Sequence, residues 1–214
     1  MFREEYVKDE FKMLVNRYAR ATDSEKMMEI AKAVNVHSLD YFKQGKGFLV
    51  QSLSKDEYLK RILEDNRIMV LEFDKNVVGF ICGFTSESID ILIEKTVLGH
   101  ELNIIKKMNQ IAFENHINRY IFLDQIAIDP NFQGKGFGRQ LFLHYIDITG
   151  GHFFAAMLEK PIINPRINYW LEYGFMYMGS VEQVLDQRFH PDAPPLNTGS
   201  LTWGIYYFNK EAKL

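Results

Sequence analysis

Residues 126–139 carry the strongest structural signal in the chain, and they read Ile126-Ala127-Ile128-Asp129-Pro130-Asn131-Phe132-Gln133-Gly134-Lys135-Gly136-Phe137-Gly138-Arg139. An apolar strand ends at a proline, a glycine-dense turn follows, and an amphipathic helix begins at once. Three glycines so close together allow positive φ angles and a close approach of the backbone to a ligand. Successive N–H groups at a helix N-terminus bind anions, and the helix dipole adds partial positive charge. The stretch therefore predicts a phosphate or pyrophosphate cradle, flanked by Lys135 and Arg139.

The spacing of the glycines separates the known phosphate-binding motifs. The dinucleotide fingerprint needs G-x-G-x-x-G, whereas this chain has G-x-G-x-G, and a Walker loop needs Ser or Thr where Gly136 follows Lys135. The pattern Q/R-x-x-G-x-G/A after a strand that ends in Pro is met by Gln133, Gly136 and Gly138. This loop resembles that of the GNAT superfamily of N-acyltransferases, which holds the pyrophosphate of coenzyme A.

The resemblance extends to both sides of the loop. Arg20-Ala21-Thr22-Asp23 is similar to the family's opening strand and helix cap, and residues 67–84 are similar to its central hairpin. The segment Tyr169-Trp170-Leu171-Glu172-Tyr173-Gly174-Phe175 resembles its late helix, which typically ends in Gly-Phe. The resemblance implies one α/β GNAT-like domain over residues 1–214, with a mixed central sheet of about seven strands flanked by helices.

Hydrophobic periodicity predicts the elements independently of the resemblance. A leading helix is expected over 2–15, a short strand over 16–21, and helices over 22–34, 54–63, 101–115, 137–148 and 164–174. Strands are expected over 67–73, 77–84, 120–128, 153–159, 177–184 and 201–208, with Asp74-Lys75-Asn76 joining the first two of these. Mixed strands and helices in this order indicate a single α/β or α+β domain. Residues 85–119 form an insertion-like segment that we expect to shape the acceptor site or an oligomer contact.

The resemblance also implies where acetyl-CoA binds as co-substrate. The strands 120–128 and 153–159 should splay into a slot for the pantetheine arm, which pairs with the backbone of the first strand while one N–H polarises the thioester carbonyl. The helix at 164–174 is expected to contribute Asn164, either as a cofactor contact or as a helix cap. The residues expected to bind the cofactor are Ile126, Ala127, Ile128, Gln133, Gly134, Lys135, Gly136, Phe137, Gly138, Arg139 and Asn164.

Acyl transfer to an amine needs a group that removes a proton, because only the free amine attacks. Asp124 is the best-placed carboxylate: on a regular strand it shares a face with Phe122, Ile126 and Ile128, apolar neighbours that would desolvate it. The alternative is that Asp124 belongs to a hydrogen-bond network or reaches solvent. Glu159 and Glu101 are weaker candidates for the base, and water could also serve.

A tyrosine on the late helix often protonates the leaving thiolate in this family. Here Trp170 occupies the usual position, four residues before Gly174, and its indole N–H is not a usable acid. We predict that Tyr169 is the acid, because the segment is one residue shorter than the usual pattern and a shifted helix would bring it into place. The alternatives are Tyr173, one turn further on, or a purely structural role for all three aromatic residues.

The resemblance implies an N-acyltransferase that moves acetyl from acetyl-CoA to a primary amine on a small molecule, protein or peptide, by direct attack. Two rival functions stay open: a non-catalytic acyl-CoA sensor or partner-binding module, prompted by Trp170, and an enzyme that prefers a longer acyl donor, prompted by the 17 Phe residues. A homodimer is possible.

The composition limits the possible partners, cross-links, metal sites and cellular location. The net charge of −3 argues against nucleic acid as a partner, because phosphate neutralisation needs a cationic surplus. Cys82 is alone, so no intrachain disulfide can form, and the six histidines show no ligand spacing, so no metal is expected. The longest apolar run, 153–158, is too short to cross a membrane and the N-terminus lacks the pattern of an export signal. A cytoplasmic location is therefore expected.

Overall fold

A mixed β-sheet forms the centre of the protein. The computed structural model describes residues 13–35, 49, 53–64, 67–89, 102–160, 163–184 and 200–210. The strands are β1 (Leu14–Tyr18), β2 (Met69–Phe73), β3 (Asn76–Thr85), β4 (Ile121–Ile128), β5 (His152–Lys160), β6 (Met176–Val184) and β7 (Ser200–Asn209). The helices are α1 (Ser24–Ala33), α2 (Lys55–Glu64), α3 (Leu102–Glu114), α4 (Phe137–Thr149) and α5 (Ile167–Glu172), with 3₁₀ turns at Ala21–Asp23 and Pro130–Phe132.

The strands lie in the order β1-β2-β3-β4-β5-β7-β6. All neighbouring pairs are antiparallel except β4 and β5, which run parallel. The parallel pair is joined by α4, as a crossover connection requires. This architecture confirms the predicted α/β class, a single domain with a mixed sheet of about seven strands. That the domain extends over residues 1–214 stays a prediction.

Helices cover both faces of the sheet. On one face α4 and α5 bury Leu141 and Trp170 against the strands. On the other face α1 and α2 bury Met27 and Tyr58, and α3 buries Met108 beside them. No helix in the described part of the chain is long and apolar enough to cross a membrane.

The predicted hairpin is present, with a tighter turn than expected. Asp74 and Lys75 form its two-residue connection with φ angles of 51° and 64°, and Asn76 already begins β3. Two positive φ angles are typical of the type I′ turn, whose twist matches that of the flanking strands. The turn sets β2 and β3 in antiparallel register.

The prediction of a leading helix over residues 2–15 is wrong at its C-terminal end. Leu14 and Val15 belong to β1, which pairs antiparallel with β2 from Leu14↔Phe73 to Tyr18↔Met69. The short strand predicted at 16–21 thus begins and ends earlier. Short apolar runs do not distinguish helix from strand, and here the ladder to β2 decides. Residues 2–12 lie outside the described residues.

The insertion-like segment 85–119 contains the predicted helix as α3. Its buried residues, Ile104 and Met108 among them, pack against Phe122 and Phe154 of the central strands. Residues 90–101 of this segment lie outside the described residues, so its role at an acceptor site or oligomer contact stays a prediction.

Candidate active site

The strands β4 and β5 separate part of the way along their length. They pair only from Ile121↔Phe153 to Leu123↔Ala155, although β4 continues to Ile128. The predicted splay is therefore confirmed. Among the described residues, the backbone of the last five residues of β4 has no ladder partner on this side, so an extended ligand can lie there as an added strand.

A cavity of about 340 Å³ opens between the diverging strands. Among its lining residues are Val34 and Leu49 on the α1 side of the sheet and Phe137 and Trp170 on the α4 and α5 side. The gap therefore connects the two faces. The sequence-predicted residues that it brings together are Asp124, Ile126, Ala127, Ile128, Gln133, Gly134, Gly136, Phe137, Gly138, Arg139, Asn164 and Tyr169. Lys135 does not line it.

The loop from β4 to α4 is braced by its own side chains. Asp129 accepts a hydrogen bond from the Asn131 backbone N–H at 3.0 Å and caps the 3₁₀ turn. The Gln133 side chain donates to the Ile128 carbonyl at 2.8 Å. The Gln133 amide group therefore spans the loop and fixes its path from the end of β4.

Two glycines in the loop adopt conformations that only glycine adopts readily. Gly134 and Gly136 have φ angles of +77° and +79°, and a Cβ at either position would meet no atom within 4 Å. Both glycines line the cavity. They therefore allow the backbone conformation of the loop and the close approach of a ligand to it. Gly136 is the N-cap of α4, whose first N–H groups have no partner within the helix. This geometry fits a pyrophosphate group.

The two basic residues of the loop differ in their placement. The Lys135 ammonium lies 5.1 Å from the centroid of the Phe132 ring. The Arg139 guanidinium lies 5.9 Å from the Tyr173 ring and lines the cavity. Of the two side chains, Arg139 therefore lines the cavity, and the phosphate-binding roles predicted for both residues stay predictions.

Asp124 belongs to a buried ion pair. Its Oδ2 accepts a hydrogen bond from Arg61 of α2, and the two side chains are 9% and 3% exposed. The guanidinium also lies 5.0 Å from the Phe84 ring centroid. Next to the pair, the Tyr58 hydroxyl donates to the Gln125 side chain at 2.7 Å, and burial raises the pKa of Tyr58 above its ordinary value. Two side chains of α2 thus hold two consecutive residues of β4.

The expectation that Asp124 shares a face with Ile126 and Ile128 is wrong. The register of β3 on β4 shifts between Cys82 and Gly83, which leaves Asp124 as an extra residue in a β-bulge. A bulge breaks the strict alternation of side chains. Ile126 and Ile128 therefore pack with the α4 side of the sheet, while Asp124 faces α2.

Tyr169 reaches the cavity together with Trp170, whereas Tyr173 is not among its lining residues. Burial and the hydrogen-bonded Tyr173 raise the pKa of Tyr169 above its ordinary value, so its hydroxyl stays protonated at neutral pH. Trp170 is buried against Phe142, with ring centroids 4.7 Å apart. Tyr169 is therefore a protonated hydroxyl at the cavity wall, and its role as the acid stays a prediction.

The helix predicted from residue 164 begins later, at Ile167. Asn164 lies in the preceding turn, where its Oδ1 accepts a hydrogen bond from the Arg166 backbone N–H at 3.0 Å. Pro165 and Arg166 form that turn because the asparagine side chain satisfies the backbone locally. Asn164 thus caps the turn and also lines the cavity.

The weaker candidates for a base are placed differently. Glu159 accepts a hydrogen bond from the Tyr206 hydroxyl at 3.0 Å and is not among the lining residues of the cavity. Glu101 lies outside the described residues. No group of three His, Cys, Asp or Glu side chains in the described ranges could hold a metal ion.

A family model for the acetyltransferase (GNAT) family matches residues 31–160. The chain belongs to the GNAT acetyltransferase family. The comparison with curated protein sequences finds no significant match.

Solved structures resemble this GNAT chain over most of its length. A Drosophila melanogaster polyamine N-acetyltransferase is 10% identical, with a TM-score of 0.59 over 92% of this chain and 100% of the other. The Salmonella typhimurium protein yncA, solved with its cofactor acetyl-CoA, is 16% identical, with a TM-score of 0.57 over 92% and 94%. The Escherichia coli ribosomal-protein-S18-alanine N-acetyltransferase is 15% identical, with a TM-score of 0.55 over 92% and 93%. These similarities show the shared fold.

Sequence reasoning missed several residues of this GNAT site. Arg61 gave no signal, because its partner Asp124 lies 63 positions away. Arg166 offered one, a basic residue two positions after Asn164 in the segment that resembles the family's late helix. Gln125 was hidden by the apolar pattern of β4. The other lining residues, to which the sequence analysis gave no binding or catalytic role of their own, are Val34, Leu49, Ile81, Leu123, Phe132, Ala155, Ala156, Met157 and Trp170.

Proposed function

We propose that this protein transfers an acetyl group from acetyl-CoA to a primary amine by direct attack. The observation that carries the proposal is the continuous cavity that joins the glycine loop to the gap between β4 and β5. A site with an anion cradle at one end and an unpaired strand edge at the other fits a cofactor with a pyrophosphate and an extended amide-containing arm. Membership of the GNAT family supports the same cofactor.

The geometry of the loop and of β4 supports the following cofactor-binding roles, which are part of the proposal. The N–H groups of Gly134, Gly136 and Gly138 hold the pyrophosphate, and Arg139 adds a positive charge. The free edge of β4 from Ile126 to Ile128 aligns the pantetheine arm and directs a backbone N–H at the thioester carbonyl. When bound, acetyl-CoA supplies an activated thioester, which an amine attacks without a covalent enzyme intermediate.

Asp124 binds the amine and accepts its proton. One carboxylate oxygen is held by Arg61, and Oδ1 has no hydrogen-bond partner among the described residues. The ion pair fixes the carboxylate at the cavity wall. Binding of the amine therefore costs no further conformational entropy of the Asp124 side chain. Tyr169, which lines the same cavity, gives its proton to the leaving thiolate. The new C–N bond and the broken C–S bond leave an amide and free CoA.

The test is turnover with a panel of small-molecule amines and peptides that carry a free N-terminus. Release of the CoA thiol should depend on the amine, and mass spectrometry should find one acetyl group per product. Asp124→Asn should lower kcat by about a hundredfold or more, in line with the loss of a proton-transfer group. Asp147→Asn, at an exposed position on α4, is the matched control and should leave kcat unchanged.

Two outcomes would replace this proposal. Tight acetyl-CoA binding without turnover of any amine would indicate a sensor or partner-binding module. A higher kcat/KM with a longer acyl-CoA than with acetyl-CoA would indicate a different donor, whose chain the cavity lined by Ala155 and Met157 would then have to accommodate. Assembly into a homodimer stays a prediction for light scattering to test.

A further inference from the structure

Two arginines and two tyrosines form a row across α4 and α5. The Arg139 guanidinium lies 5.9 Å from the Tyr173 ring, the Tyr173 and Tyr169 ring centroids are 4.6 Å apart, and the Arg166 guanidinium lies 5.9 Å from the Tyr169 ring. The tyrosine pair therefore has a cation at each end. Of these four residues, only Arg139 was assigned to the cofactor in the sequence analysis.

Both arginines line the cavity, and both lack a carboxylate partner in the part of the chain that the structure describes. Neither Arg139 nor Arg166 forms an ion pair within the described ranges, whereas Arg17 and Arg61 each bind a buried aspartate. Two unneutralised guanidinium groups at one cavity create a local positive potential. Such a potential favours an anionic ligand, and a planar guanidinium suits phosphate oxygens in particular.

The place of Arg166 relative to the loop gives it a separate task. Gly134, Gly136 and Gly138 approach the cavity from the end of β4, while Arg166 approaches it from the turn before α5. A phosphate held by loop N–H groups still exposes oxygens that those groups do not reach. A cation from a second element can bind these oxygens or those of a neighbouring phosphate.

We propose that Arg166 is a second phosphate-binding cation for coenzyme A, contributed by the turn before α5. The inference rests on the proposed function, since it deepens the assignment of the same cofactor. The Arg166 guanidinium also lies beside the Tyr169 ring, so a phosphate contact at Arg166 orders the turn that precedes the helix with the proposed acid. Arg139 and Arg166 hold the phosphate end of the cofactor from two sides.

The experiment is isothermal calorimetry of Arg166→Gln with CoA, dephospho-CoA and 4′-phosphopantetheine. A lost charge-assisted hydrogen bond should weaken CoA binding by about tenfold or more. The matched control is Arg119→Gln, which removes an exposed arginine paired with Glu87 and should bind CoA like the unmodified protein. Arg166→Lys should recover part of the loss, because it restores the charge without the planar fork.

The three ligands identify the phosphate. If Arg166 binds the 3′-phosphate, the Gln variant and the unmodified protein should bind dephospho-CoA equally. If Arg166 binds the pyrophosphate, the loss of affinity should persist with dephospho-CoA. It should disappear with 4′-phosphopantetheine when the partner is the phosphate on the adenosine side, which that ligand lacks. It should persist with 4′-phosphopantetheine when the partner is the phosphate on the pantetheine side. CoA affinity within twofold of the unmodified protein would overturn the inference while the proposed function stands. Failure of the unmodified protein to bind any CoA species would overturn both.

Discussion

Removing Arg61 should destabilise the protein far more than removing an exposed lysine from the same helix. Arg61→Met leaves the Asp124 carboxylate buried without its partner, in a place where the two side chains are only 3% and 9% exposed. Breaking a buried pair by removing one partner typically costs about 3–5 kcal/mol, because an uncompensated charge remains. For a chain of this size that loss corresponds to a fall in Tm of roughly 6–20 °C.

The assay is urea unfolding monitored by circular dichroism, with three variants compared. Arg61→Met and Asp124→Asn should each lower the free energy of unfolding, and the double variant should recover much of the loss because neither buried charge remains. Lys55→Met is the matched control: Lys55 pairs with Glu25 on the surface, where both side chains are more than half exposed. That variant should change stability by less than about 0.5 kcal/mol.

A different result would refute the reasoning. If Arg61→Met cost no more than Lys55→Met, the Asp124 carboxylate would have access to solvent and the buried pair would not fix β4. If the double variant were as unstable as the sum of the singles, the two side chains would not interact.

Three further predictions concern the glycine loop, the proposed acid and the buried aspartate of the first turn. Gly136→Ala forces a side chain to φ +79° and should lower the free energy of unfolding in urea by about 1–2 kcal/mol. Gly138→Ala, whose Cβ would meet its nearest neighbour at 3.5 Å, should lower it by less than about 0.5 kcal/mol. Equal losses would contradict a role of the positive φ angle at Gly136. Tyr169→Phe should lower kcat by about a hundredfold at unchanged CoA affinity while Tyr173→Phe retains most activity, and the reverse order in steady-state kinetics would assign the proton to the other ring. Burial opposes ionisation of Asp23, but hydrogen bonds from a guanidinium and a backbone N–H outweigh it and lower its pKa. The stability that this carboxylate contributes is therefore present above about pH 3.9 and is lost as the pH falls through the lower folded value. Asp23→Asn should lower the free energy of unfolding at pH 7 and make it depend less on pH below about pH 4, and an unchanged pH profile of unfolding would contradict this.

The glycine loop could be predicted because its structure is encoded locally. Gly134 and Gly136 need positive φ angles, and the strand, turn and helix that surround them follow one another directly in the sequence. The splay of β4 and β5 came from the family resemblance, and the ladder that ends at Leu123 confirms it.

The surroundings of Asp124 could not be predicted because they depend on distant segments. The bulge at Asp124 arises from the register that β3 imposes on β4, and simple alternation along one strand does not contain that register. Arg61 reaches the carboxylate from a helix 63 positions earlier. A similar long-range effect determines the secondary structure of Leu14 and Val15, which pair with β2 instead of forming a helix.

The central claim is that the glycine loop and the split strands bind coenzyme A, and a thermal-shift titration tests it most directly. Acetyl-CoA, free CoA, NAD and ATP are compared side by side on the unmodified protein. At about 100 times its dissociation constant a ligand stabilises the folded state by about 2.7 kcal/mol, which is a rise in Tm of roughly 5–11 °C for a chain of this size. The account predicts this rise with acetyl-CoA and CoA and none with NAD or ATP. A rise in Tm with NAD or ATP alone, or no rise with any of the four ligands, would contradict it.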